Sequence, residues 1–180
     1  MNYDKIKESA LAAGFTAAEY ISVSALVFQP EFRKYCVENE CGNYGKNYAC
    51  PPDCGTVEEM QKRVLPYQNA LVFQSRSHID DAFDDVLTKP LKKRHTQMTL
   101  QTVKNCHSLG LPDNGLFIMA GPCNFCDVCK LQKGLPCCHE DLRFSCLSAY
   151  CIDVTELANS CGMDISWDGN TVSFFSLYCF

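Results

Sequence analysis

Two segments of this chain, 36–54 and 123–138, carry cysteine so densely that no regular packing pattern can order them. The first holds Cys36, Cys41, Cys50 and Cys54, interspersed with Gly42, Gly45, Pro51 and Pro52; the second holds Cys123, Cys126, Cys129 and Cys137. Neither shows the alternation of a strand or the 3.6-residue period of a helix. Metal ligation orders a segment of this kind where packing cannot. In the second, a triple Cys-x2-Cys-x2-Cys gathers three thiols in one tight loop and Cys137 follows on a short connection, as when a chain wraps a cubic iron–sulfur cluster. Tetrahedral zinc is more often held by two separated Cys-x2-4-Cys pairs. The first set, spaced Cys-x4-Cys-x8-Cys-x3-Cys, fits either a second cluster or a zinc ion.

A disulfide framework is the competing reading of fourteen cysteines. Such frameworks belong to small secreted domains that cannot build a core. Here 47% of the residues are hydrophobic and 21% charged, enough for a core. Met1–Glu8 carries charges where a signal peptide needs an apolar stretch. No run approaches the ~18–20 apolar residues of a membrane span. The expectation is a cytoplasmic, non-membrane protein of one metal-binding domain over 1–180, with reduced thiols. A net charge of −5 argues against nucleic-acid binding. The one basic run, Lys89 to His95, reads as a solvated loop and first helical turn.

Hydrophobic spacing predicts a helix over residues 3–14, stopped by Gly14, and a short strand at Tyr20–Val23. Phe28 to Tyr35 reads as a loop or helical turn leading to Cys36. Thr56 with Glu59 forms a capping-box pattern, so a helix begins beside Cys54, its N–H groups favouring a nearby anion. Ala70–Ser75 reads as a strand, 78–88 and 91–109 as helices broken at Pro90, and Leu116–Ala120 as a buried strand running into Gly121-Pro122-Cys123. Leu147–Cys161 reads as a helix bent near Ile152–Asp153. The closing segment from Asp164 to Tyr178 reads as a C-terminal β-hairpin with an Asp168-Gly169 turn. The fold class is α/β or α+β, a small mixed sheet flanked by helices and carrying cysteine-rich metal-binding loops.

The stretch Cys41-Gly42-Asn43-Tyr44-Gly45-Lys46-Asn47-Tyr48-Ala49-Cys50-Pro51-Pro52 resembles the Cys…Tyr-Gly-Lys…Cys-Pro-Pro signature of the predicted metal-binding family known as domain of unknown function 2284. The triplet from Cys123 to Cys129, Pro136-Cys137 and Ile152-Asp153-Val154 resemble its other block in matching order. The likeness runs from near Ile21 to Gly162. It implies metal binding, of iron–sulfur type, without an established reaction. The chain departs from the pattern at Cys138, where the family has a basic residue, at Cys146, where it has Ser, and at Cys151, where it has Gly.

Of the other cysteines, Cys106, Cys161 and Cys179 read as core residues, while Cys138, Cys146 and Cys151 fall near the second set and offer an alternative ligand. His139 alone among the histidines stands beside the ligands. Lys46, Lys130 and Lys133 lie within the ligand segments. No glycine-rich phosphate loop, nucleophile elbow or zinc-helix motif is present, and no catalytic residue stands out. Together these features predict two [4Fe-4S] clusters held by the eight cysteines, in electron transfer or as a redox accessory to a partner protein. The alternatives are a zinc-binding structural or interaction module, and an iron–sulfur enzyme with a substrate site near one cluster.

Overall fold

The computed structural model describes residues 1–166 and 168–180. Four strands form one sheet in the order β1-β2-β4-β3: β1 (Ala17–Ser22), β2 (Asn69–His78), β3 (Leu116–Ile118) and β4 (Thr171–Cys179). Every strand pairing is antiparallel, in place of the expected mixed sheet, and an isolated bridge between Met119 and Cys146 is the parallel element. The helices are α1 (Tyr3–Ala13), α2 (Arg33–Glu38), α3 (Val57–Val64), α4 (Asp85–Cys106) and α5 (Val154–Cys161).

The continuous apolar run Ala70-Leu71-Val72-Phe73 is explained by burial on both faces of the sheet. Leu71, Phe73 and Tyr178 pack with Ile6 and Ala10 of α1 and Val103 and Cys106 of α4. On the other face Ala70, Val72, Phe175 and Leu177 pack with Met60 and Val64 of α3 and Leu157 of α5. The result is three layers, with helices on both sides of the sheet. Each fully buried Leu or Phe side chain stabilises such a core by about 1.5–3 kcal/mol.

Local chemistry sets the ends of the helices. Gly14 caps α1 in the left-handed region at φ 105°. The capping box of Thr56 and Glu59 opens α3 as expected. The helix predicted up to Cys161 is divided: a 3-10 turn covers Leu147–Tyr150, Cys151 adopts φ 55°, and Asp153 caps α5 by accepting from Thr155 N and Glu156 N. A left-handed φ at 151 favours glycine, the residue that the family resemblance implies there.

Three further expectations are corrected. Pro90 does not break the helix at 85–106; it lies inside α4, near its start. It removes one backbone N–H there, and its i−4 partner Val86 is 79% exposed, so that carbonyl has access to water. The segment 79–84 is not helical, and α4 starts at an Asp84 cap. The C-terminal hairpin is not formed among the described residues: 164–166 carry no strand, and Trp167, part of its expected first arm, lies outside them. Instead the Gln74 side chain donates to the Asp164 carbonyl at 2.6 Å, and Asp168 accepts from Asn170 N and Thr171 N to start β4.

α4 also buries a polar cluster against the sheet. His95 Nδ1 is 2.7 Å from Ser75 Oγ and its Nε2 is 2.9 Å from Ser176 Oγ, which is itself 2.7 Å from Thr99 Oγ1. Burial of the imidazole pulls its pKa down to about 3.

Candidate metal centre

The first cysteine set lies on the α3/α5 side of the sheet. Cys36 sits on α2, Cys50 and Cys54 are buried in the turns before α3, and Cys41 is exposed. Arg33 ties this region together: its guanidinium donates to the Ala149 carbonyl at 2.8 Å and lies 3.9 Å from Cys54 Sγ. Arg63 donates to the Cys54 carbonyl at 2.8 Å. Burial pushes the Cys54 thiol up, and the Arg33 hydrogen bond opposes it. Burial, with neighbouring thiols adding, raises Cys36 to about 11 and raises Cys50 further.

Those neighbours include a residue expected elsewhere. Cys146 adds to the upward shifts of Cys36 and Cys50, and Cys41 and Cys54 add to its own, so it neighbours the first set. Cys151 likewise neighbours Cys36. The bridge between Met119 and Cys146 fixes the main chain at Cys146, with Met119 N donating to Ser145 O and Leu147 N to Met119 O.

The second set hangs from β3. After Ile118 the chain passes Gly121-Pro122 and delivers Cys123, whose thiol is raised by burial and neighbours Cys137, Cys129 and Arg143. Cys126 Sγ is 3.6 Å from Cys138 Sγ, and the proximity of Cys138 pushes the Cys126 thiol up. The ligand atoms of Cys126, Cys138 and His139 all lie within 4.8 Å of one another. Cys138 and His139 therefore join the site beside the predicted cysteines. Their only signal in the sequence was adjacency to Cys137.

The two segments interlock. Asn47, buried between Cys41 and Cys50, donates from Nδ2 to the Cys123 carbonyl at 2.8 Å and accepts from Ala49 N at 3.0 Å. Tyr48 donates its hydroxyl to the Leu135 carbonyl at 2.9 Å, and Gln132 donates to the Lys46 carbonyl at 3.2 Å. Arg143 lies 5.9 Å from the Tyr48 ring centroid. Thiols of both segments, Cys41 with those of the second set, line one cavity of about 640 Å3.

Sulfur with one imidazole is a soft donor set. It suits zinc or iron–sulfur chemistry and not magnesium or calcium, which take oxygen. The residues present thus fit the metal that the sequence implied. Cys106 and Cys179 are buried in the core and Cys161 is half-buried against it, all apart from these sites. No helix among the described residues is long and apolar enough to cross a membrane.

Layered α/β packing that carries a thiol-lined cavity defines a cysteine-rich metal-binding protein. The chain belongs to the predicted metal-binding protein family DUF2284, whose profile matches residues 19–179. Neither the curated proteins nor the solved structures give a significant match.

Proposed function

We propose that this protein holds two [4Fe-4S] clusters and acts in electron transfer, or as a redox accessory to a partner protein. The first site would use Cys36, Cys41, Cys50 and Cys54, and the second Cys123, Cys126, Cys129 and Cys137. The observation that carries the reading is the interlock: the hydrogen bond from Asn47 to the Cys123 carbonyl draws two thiol-rich segments against each other. When bound, such clusters supply reversible one-electron chemistry. The chain's own part is to set their surroundings. Arg33 and Arg63 bring positive charge to Cys54, Arg143 brings it to Cys123, and burial of Cys50 and Cys54 limits water at the first site. Charge, hydrogen bonds to sulfur and exposure are the levers by which a protein tunes a cluster potential.

One observation favours a second reading at the second site. Cys126, Cys138 and His139 are gathered as tightly as ligands of a single ion, a Cys2His set that suits zinc. A cubane spreads its four thiolates more widely. Under that reading the protein is a zinc-stabilised module without a redox role.

Anaerobic purification, with iron, sulfide and zinc quantified and the visible spectrum taken before and after dithionite, separates the two. Brown protein with near-equal iron and sulfide, about eight irons per chain and bleaching on reduction, is the expected result. A colourless protein with one or two zinc ions would overturn it.

A further inference from the structure

The cavity beside the second cysteine set has a second wall, and it is cationic. Lys89, Lys92 and Lys93 of α4 line it, with Lys46 and Lys130 from the ligand segments and Arg143 just beyond the second. The basic run of the sequence is therefore not simply a solvated face. Lys89 is neutralised by Asp85 at 2.9 Å. The other five make no ion pair among the described residues, in a chain whose net charge is −5. Asp85 and Asp127 also line the cavity, but its six cations outnumber these two carboxylates, and a cleft with such a surplus focuses the local field on anions.

Lys92 is built in. It is half-buried, and its stem lies so close along Gly121 that a Cβ at 121 would come within 2.4 Å of Lys92 Cδ. Its Nζ stands 5.8 Å from the Phe174 ring centroid. A glycine immediately before the ligand loop thus leaves room for this lysine. Thiolates account for part of the positive charge, but α4 contributes none of the cysteines of either set. A volume of about 640 Å3 also falls within the range of small-molecule sites.

We propose that this cavity binds a small, multiply charged oxyanion, phosphorylated or polycarboxylate, held by Lys92, Lys93 and Arg143 beside the second cysteine set. The proposal rests on the metal reading only for its neighbour; the cationic wall stands whichever metal the thiols hold. Such a ligand would bring a substrate or effector to within reach of the metal centre.

The test is calorimetric titration of the anaerobically purified protein with inorganic phosphate, pyrophosphate and citrate, with metal content measured on every sample. Wild type should bind at least one of these saturably, and Lys92→Gln/Lys93→Gln should weaken that binding at least tenfold at unchanged metal content. Lys104→Gln, at the far end of the same helix, should leave it unaltered. Preference for pyrophosphate over citrate assigns a phosphorylated ligand, and the reverse a polycarboxylate. Three outcomes overturn the proposal: no saturable binding, equal weakening by Lys104→Gln, or loss of metal from the double variant, which would make the lysines counter-ions of the thiolates. Metal analysis is independent of the titration, so failure of the metal reading and failure of this site are distinguishable.

Discussion

His95 gives this protein a specific acid sensitivity. In the unfolded chain its imidazole titrates near the ordinary value of about 6.5. In the fold, burial lowers that to about 3, while Ser75 and Ser176 occupy both ring nitrogens. Arg76 of β2 and Arg94 of α4 line the same small cavity as His95. Above pH 6.5 the residue is neutral in both states and its contribution is fully present. As pH falls from 6.5 toward 3 the unfolded chain takes up a proton that the folded chain refuses, and stability is lost. With a folded pKa of about 3, the loss between pH 7.5 and 5.0 amounts to about 2 kcal/mol. Anaerobic urea denaturation at the two pH values, on wild type and His95→Gln, measures it. The variant is expected to be less stable at pH 7.5, by roughly 1–3 kcal/mol from lost packing and hydrogen bonds. Its further loss on going to pH 5.0 should be about 2 kcal/mol smaller than that of wild type. Both proteins carry the same thiols, so thiolate protonation cancels in the comparison. Equal pH dependence in the two proteins would refute a neutral, buried His95.

Two further outcomes follow from individual side chains. Tyr178 donates its hydroxyl to the Pro112 carbonyl at 2.6 Å and accepts from Gly115 N at 2.8 Å, so Tyr178→Phe should cost about 1–3 kcal/mol in chemical denaturation; a change below ~0.5 kcal/mol, within the range of ordinary surface substitutions, would count against that pair of bonds. On the proposal that Cys36, Cys41, Cys50 and Cys54 hold a cluster, Cys146 is a fifth thiol beside them, so Cys146→Ser should retain full metal content while Cys50→Ser loses metal. Metal loss on Cys146→Ser would instead make Cys146 a ligand.

Signals confined to a few neighbouring residues were legible in the sequence. Thr56 and Glu59 announced α3, Gly14 ended α1, and the run from Ala70 to Phe73 marked a central strand because both sheet faces are covered. The cysteine segments were recognisable from their lack of periodicity. What the sequence withheld depends on tertiary placement. Cys146 lies nearer to Cys137 than to Cys54 along the chain, yet the bridge to Met119 turns it toward the first set. The triad of Cys126, Cys138 and His139 needs the 3-10 turn at Lys130–Lys133 to fold the chain back. Pro90 misled because a proline near a helix start, at an exposed turn, costs less than one in the middle. The closing segment read as a whole hairpin because Asp168-Gly169 looks like a hairpin turn, but β4 pairs with β2 and β3 instead.

The path of the chain after β3 also bears on how the protein avoids sticking to itself. A strand at the rim of a sheet exposes unpaired N–H and C=O groups that another chain can extend, the first step of edge-to-edge aggregation. β3 is such a rim strand, but it offers only three residues. The main chain of Ser145 and Leu147 then occupies both hydrogen-bonding groups of Met119. Gly121 and Pro122 follow at once, and proline cannot donate to a ladder. At the opposite rim β1 carries Glu19, paired to Lys7 at 2.7 Å, and a charged side chain on an edge discourages a second strand from adding there. The thiol-bearing loop and the Ser145–Leu147 main chain that follows it therefore leave little of the β3 rim open to a second copy of the chain.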